Sequence, residues 1–464
     1  MSVKQPGFSI LRRSIAGMEG MYAKMWDPPK ESPLTPEYIA PTNPVPEFME
    51  RVIPGFVPSM PNTVMRDLLH GVTMPTWDGA KQLNFMTFRD GDNPFDNGTW
   101  PGATIRVPRG VIFHCQTQGH GPPPHTIHWH GIEPTPMNDG VGHCSMEIGD
   151  YLYQWQPNFI GTYFYHCHRN TVQHFEFGLY GMLLIEPPDA YADPATAGVY
   201  PRRTAANLDH TNVAAWLTSK GLALADFGFV PGNPVNGVAN GDPHAFTIQY
   251  DVEALWVLDD RDSVWSDKAP DARTFYPKIN NRPGVDDTFY HGFFHDFNAD
   301  YWFVTGVPVL GHRGQGTLAS PVPLQEPALV FGTADGTVPA ALNSGVAGMQ
   351  VAINAKVGDV ILVRCLDAAY NCISVTFPVD VIIIAWDGRA LGVPPFARYN
   401  HAYVVPAGTP IHTSTARRYD ALICSTMPVI NKFATVQFID THGQNIPSRA
   451  EPVLVTTKIP INII

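Results

Sequence analysis

Two clusters of imidazoles with one thiol among them are the residues best suited to chemistry in this chain. They are His125-Thr-Ile-His128-Trp-His130-Gly131 and His166-Cys167-His168, the latter followed by His174. Nine of the eighteen histidines fall between His114 and His174. Imidazole is the commonest protein metal ligand, and a thiolate among imidazoles suits copper rather than magnesium or calcium. A lone histidine is ordinarily a core or surface residue. Two tight clusters at these spacings instead point to an oxidoreductase metal site.

The spacings gain meaning if both clusters lie on strands, because side chains alternate faces along a strand. His128 and His130 then share one face and Trp129 takes the other. His166 and His168 likewise share a face while Cys167 points the opposite way. Four imidazoles converge on one side of the sheet, and the thiolate meets other ligands on the reverse side. Two metal sites would be joined by a few covalent bonds through the Cys167 backbone, an arrangement suited to moving electrons. A trigonal thiolate site needs two imidazoles, for which His125 and His174 are the candidates. Leu179 and Met182 compete for the axial position, and a Leu there favours Cu(I) and a raised potential. His114, His120 and His143 are expected to be structural or to orient ligands. Asp139 is read first as part of an Asn138-Asp-Gly140 turn, and second as a ligand partner or solvent-channel acid.

The elements that position these residues are short strands. Lys81–Phe88, Pro101–Gly110, Val111–Cys115, Tyr151–Trp155, Gly161–Tyr165 and Gly181–Glu186 are strand-like runs separated by turn signals, as in a Greek-key sandwich or barrel. Residues 1–70 are proline-rich and read as an arm, 71–190 as the metal-binding domain and 191–245 as a connection with a short helix near Val213–Leu224. Residues 246–464 read as a second strand-rich domain, marked by Ala254–Leu258, Asp359–Arg364, Val381–Ala385 and Tyr419–Cys424. The 45 prolines and 40 glycines fit many short strands.

Bulk properties exclude several classes. A net charge of −12, without any Lys/Arg run, argues against nucleic acid as a partner. No apolar run is long enough to span a membrane. The first thirty residues show no secretory apolar region, and Arg12-Arg13 has no apolar stretch behind it. The six cysteines lack CxxC spacing, and with Cys167 binding metal at least one of the rest stays unpaired.

The motifs His125–Gly131, Tyr165-His-Cys-His168, His174 and Gly178-Leu179 resemble the copper signatures of multicopper oxidases. Gly102–Val107 and Gly161–His168 are similar to that family's cupredoxin domains. The likeness is strong over about 75–190. It is looser from about 250 to 460, through Val257–Asp260, His295–Asn298 and Ile384–Gly388, which resemble the metal-free middle domain of three-domain members. The resemblance implies an all-β fold of two cupredoxin-like Greek-key domains behind the N-terminal arm. It also implies type 1 copper on His125, Cys167 and His174 with Leu179 or Met182 axial, type 2 copper on His128, and type 3 copper on His130, His166 and His168. A small donor, phenol or metal ion, would give electrons at type 1 copper, and dioxygen would be reduced at the type 2/type 3 cluster. An extracytoplasmic location is implied as well, although no signal peptide is seen.

The chain also departs from that pattern. The family's cluster uses eight histidines, four from each of two domains, and this chain offers one set. The second domain has His291, His295, His312, His401, His412 and His442, but no His-x-His pair and no second thiolate–His signature. The missing set is expected from a homo-oligomeric or hetero-oligomeric partner. A copper nitrite reductase, the alternative enzyme class, predicts an acidic residue in place of His128 and no histidine after the type 1 cysteine, so His128 and His168 favour an oxidase. A non-catalytic electron carrier leaves four convergent histidines poorly explained.

Overall fold

The computed structural model describes residues 63–66, 72–90, 100–108, 113–120, 125–132, 134, 138–141, 150–155, 157, 161–168, 171–186, 201–203, 215, 218–219, 221, 229–234, 246–267, 297–325, 351–391, 402–440 and 453–464. The fold is all-β. Among the described residues, α-helix is confined to Thr171–Glu176 (α1), Ser263–Ser266 (α2) and residues 215, 218 and 219, which lie within the helix expected near 213–224. No helix among them is long and apolar enough to cross a membrane.

The first unit contains Thr63–Arg66 (β1), Val72–Pro75 (β2), Gln82–Phe85 (β3), Thr87–Asp90 (β4), Gly102–Pro108 (β5), Phe113–His120 (β6), His128–His130 (β7), Asp150–Trp155 (β8), Gly161–His166 (β9) and Tyr180–Glu186 (β10). Sheets β4-β1-β6-β8 and β5-β10-β9-β7 make a cupredoxin-like sandwich, and β2-β3 form a hairpin. Thr63–Arg66 lies in the segment expected to be an arm, yet it is hydrogen-bonded into this sandwich between β4 and β6. Between the sheets Trp129 meets Phe113, Tyr153, Trp155 and Tyr165. Aromatic residues of this size dominate a core energetically.

Pro201–Arg203 (β11), Phe229–Pro234 (β12) and Phe246–Gln249 (β13) form a small sheet between the two units. The second unit follows with Val252–Arg261 (β14), Tyr301–Val304 (β15), Val307–Pro308 (β16), Ile353–Ala355 (β17), Val360–Asp367 (β18), Cys372–Thr376 (β19), Val381–Trp386 (β20), Arg389–Ala390 (β21), Tyr403–Val405 (β22), Pro410–Thr413 (β23), Arg418–Cys424 (β24), Val429–Ile439 (β25) and Val453–Ile463 (β26). An eight-stranded sheet runs β16-β15-β14-β18-β24-β20-β21 with β22 on β20, and a five-stranded one runs β17-β26-β25-β19-β23.

β14 shows how alternation joins the units. Ala254, Trp256 and Leu258 point into the second sandwich's own core. Leu255 and Val257 point outward and pack with Phe164, Met182 and Leu184 of the first unit. The two units therefore meet sheet against sheet, on the face of β9 that also carries His166. Polar contacts rim this contact. Thr162 donates to Asp420 at 2.5 Å, Tyr163 to the Gly388 carbonyl at 2.8 Å, and Arg364 to Thr162 Oγ1 at 3.2 Å.

Candidate metal centre

The first ligand set lies inside the first sandwich. Cys167 follows β9 directly, and its Sγ is 3.1 Å from His174 Nδ1 and 3.7 Å from His125 Nδ1. All three donor atoms lie within 4.8 Å of one another. Cys167 and His174 are fully buried and His125 is 2% exposed, so water is excluded. His125 enters the site from the segment before β7, whose Ile127 N–H donates to Tyr153 Oη at 2.9 Å.

His174 sits on α1, which the sequence reading did not anticipate. Thr171 Oγ1 donates to the His168 carbonyl at 3.0 Å, tying the helix start to the ligand strand. Gly178, at φ +96°, ends it. Its N–H reaches the Phe175 carbonyl at 2.9 Å, and the Leu179 N–H reaches the His174 carbonyl at 3.0 Å. A left-handed glycine just past a helix is the usual way to satisfy its last carbonyls. A Cβ on Gly178 would meet Trp100 Cδ1 at 2.5 Å.

Cross-strand register separates the two axial candidates. β9 and β10 pair His166 with Tyr180 and Phe164 with Met182, and the Cys167 N–H donates to the Leu179 carbonyl at 3.0 Å. Residues opposite each other across a ladder share a face. Leu179 is therefore on the face of Cys167, while Met182 is on the face of Phe164 and belongs to the apolar contact between the units.

The second set occupies the opposite face of the same sheet. β7 pairs with β9, His128 opposite His166 and His130 opposite Phe164. Donor atoms of His128, His130 and His166 lie within 4.8 Å of one another. The His168 ring centroid is 5.1 Å from that of His128 and 5.7 Å from that of His166. The four histidines are thus gathered, with His168 at the margin.

Backbone carbonyls fix two of these rings. A carbonyl only accepts, so His128 Nδ1–H donates to the Asp139 carbonyl at 2.6 Å and His166 Nδ1–H to the Cys167 carbonyl at 2.9 Å. Nε2 of each is then the basic nitrogen, and such outer partners orient metal-binding imidazoles. The Asn138-Asp-Gly140 segment is both turn and partner, with Asp139 Oδ1 also 3.3 Å from His128 Nδ1. His130 Nδ1 lies 3.2 Å from His166 Nε2. Burial, then the Arg418 guanidinium, push His130 down to about 3, and burial lowers His166 and His168. Neutral imidazole is the form that ligates metal.

Arg418, from the second unit, comes close to this face. Its guanidinium lies over the Phe164 ring at 5.3 Å, and a Cβ on Gly131 would meet its Nη2 at 2.7 Å. Nothing local in the sequence marks Arg418. The side chains of His114 and His120, and all of His143, His291, His295, His401 and His442, lie outside the described residues. The His312 ring lies 4.8 Å from that of Trp77, tilted by 43°. His412 lines a cavity of about 410 Å³ with Trp386 and Tyr403. Among the described residues, these two ligand sets are the only metal-binding groups of this kind. One thiolate with two Nδ1 donors, in a dry apolar pocket, fits copper by donor type and number.

A family model described as multicopper oxidase matches residues 70–190. L-ascorbate oxidase of Cucumis sativus is 36% identical over 110 residues, which are 21% of this chain and 18% of the relative. Laccase abr2 of Aspergillus fumigatus is 37% identical over 99 residues, 20% of this chain and 16% of the relative. Copper resistance protein A of Pseudomonas syringae pv. tomato is 35% identical over 94 residues, 19% of this chain and 15% of the relative. The chain thus spans less than a fifth of the length of these relatives. The blue copper oxidase structure from Nitrosomonas europaea aligns over 86% of this chain and 85% of that chain, with TM-score 0.45 and 18% identity. Through residues 70–190, which hold both histidine clusters and Cys167, the chain is similar to multicopper oxidases.

Proposed function

We propose that the chain is a copper-dependent oxidase subunit that takes electrons from a small donor, a phenol or a metal ion, and passes them to dioxygen. One observation carries this reading: two ligand sets back to back on one sheet, joined through Cys167. In this reading His125, Cys167 and His174 would hold type 1 copper, with Leu179 on the face of Cys167. His128 holds type 2 copper, and His130, His166 and His168 hold type 3 coppers. Copper at these positions would supply one-electron redox chemistry on the thiolate side and oxygen reduction on the imidazole side.

The chain's own residues provide the rest. Cys167 is bonded through the backbone to His166 and His168, and its carbonyl accepts from His166 Nδ1–H. That hydrogen bond adds a second short route between the two faces. Burial of Cys167 and His174 keeps water from the thiolate. Val172, on the helix that carries His174, is 51% exposed. The donor therefore approaches along α1 and transfers electrons without entering a deep pocket. Asp139, with 28% of its side chain exposed, holds a carboxylate oxygen 3.3 Å from His128 Nδ1 and relays protons between water and the imidazole face.

Among the described residues one set of four histidines is gathered, so we propose that another subunit, identical or different, contributes the other four. A working location outside the cytoplasm belongs to the same proposal. Copper stoichiometry and native mass, measured together on purified protein, test it. About four coppers per assembled cluster, with an intense blue absorption lost in Cys167→Ser, is the expected result. A single copper per chain with no oxygen uptake, or no blue band at full copper loading, refutes it.

A further inference from the structure

α1 is six residues long, and a helix that short has no stability of its own in water. Its extra attachments come from the second unit. Tyr370 Oη donates to the Val172 carbonyl at 2.6 Å. Arg261 Nη1 reaches the Phe175 carbonyl at 3.4 Å and lies 3.5 Å from Glu176 Oε2. The Asp262 N–H donates to Glu176 Oε1 at 3.0 Å. Each of these groups is itself fixed. Arg261 is 2% exposed, bonds Asp259 at 3.0 Å, and sits 4.6 Å over the Trp100 ring and 5.3 Å over Phe85. Asp260 accepts from the Tyr370 N–H at 2.9 Å and from Asn371 Nδ2 at 2.6 Å, holding the loop that presents Tyr370. Tyr370 and Tyr180 also flank Phe175, which meets the His166 ring edge-on at 5.7 Å.

We infer that the second unit, which offers no copper-ligand motif, is the scaffold of the thiolate site, with Arg261 and Tyr370 as positioning residues for His174. They act through α1 and touch neither the donor atoms nor a substrate. Arg261 fits this task because its planar fork reaches a carbonyl and two carboxylates at once while its face lies on aromatic rings. The inference rests on the type 1 reading for its copper readout, but not for its thiol readout.

The test uses the full chain as wild type, Tyr370→Phe, Arg261→Lys and Arg261→Met. In copper-loaded protein, Tyr370→Phe and Arg261→Lys should keep the blue band while shifting its position and the copper hyperfine splitting. Arg261→Met should retain less copper. In metal-free protein, a thiol reagent followed by peptide mapping reads how often α1 opens over Cys167. Loss of one hydrogen bond in Tyr370→Phe should speed Cys167 labelling about tenfold, and Arg261→Met on the order of a hundredfold. Labelling of the buried Cys365 in the second sandwich should not change. Cys167 labelling at the wild-type rate overturns the inference. So does labelling of Cys167 and Cys365 that rises in step, which reports general destabilisation. Absence of a blue band in the wild type would sink the type 1 reading alone, and the labelling comparison would still decide the positioning role.

Discussion

Gly140→Ala should uncouple His128 from its orienting carbonyl. Gly140 has φ +73°, a conformation that costs a non-glycine residue about 1–2 kcal/mol. Space is the larger problem. A Cβ there would overlap the Ile127 carbonyl and lie 2.6 Å from the His128 backbone nitrogen, where ordinary contact begins near 3.4 Å. The turn must therefore retreat by at least about 0.8 Å from the start of β7. The Asp139 carbonyl moves with it, stretching its 2.6 Å bond to His128 Nδ1 to the edge of hydrogen bonding. Losing that bond adds about 1 kcal/mol, for a total of about 2–3 kcal/mol. Gly79→Ala is the internal control, since Gly79 has φ +69° with nothing within 4 Å of its Cβ. Denaturant unfolding of both variants should show about 1–2 kcal/mol lost for Gly79→Ala and at least about 1 kcal/mol more for Gly140→Ala. Copper analysis of Gly140→Ala should show the blue band intact and the other coppers depleted. Equal stability losses in the two variants, or full copper occupancy in Gly140→Ala, would refute the reasoning.

Three further outcomes follow from the geometry. Leu179→Met should lower the type 1 potential and shift its absorption, whereas Met182→Leu should leave both unchanged; redox titration of the two variants checks this. Burial pushes the Glu253 carboxyl up, but Arg106 and Arg364 outweigh it and hold it at about 2. Its depressed pKa contributes stability above the ordinary carboxylate range that is lost as pH falls through about 2. Glu253→Gln removes the carboxylate shared by Arg106 and Arg364, leaving the buried Arg364 only Asp420 at 3.7 Å, and should cost up to about 3 kcal/mol in chemical denaturation. Burial raises Asp260 to about 7 and Asp259 to about 6. Raised carboxyl pKa values stabilise the fold fully below about pH 4, and that contribution disappears as pH climbs through 6 and 7. Metal-free protein should therefore melt at lower temperature at pH 8 than at pH 5, and Asp260→Asn should flatten the slope.

Much of the site was legible because period-two alternation is local. Trp129 inside with His128 and His130 outside follows from three consecutive residues, as does Cys167 between His166 and His168. The choice between Leu179 and Met182 was not legible, because it depends on which residue of β10 faces Phe164. Helix α1 escaped notice because Thr171–Glu176 is too short to show a helical period, and its stability comes from tertiary bonds. Asp139 lies in an Asn138-Asp-Gly140 sequence, which by itself signals only a turn. Its contribution to His128 runs chiefly through a main-chain oxygen, which no side-chain pattern reveals. Arg261 and Arg418 act across more than eighty residues of sequence, so composition near the histidines carries no trace of them.

The attachments of α1 also order events in time. Cys167 and His174 leave the ribosome about 200 residues before Tyr370, which at bacterial and eukaryotic synthesis rates is about 10–40 s. Throughout that interval the helix has no second unit to lean on, and the thiol meant for metal is open to oxidants and to stray cations. Correct loading therefore belongs after synthesis, once the C-terminal half has folded and docked. A chain truncated before Tyr370 should carry every ligand and still take up copper poorly.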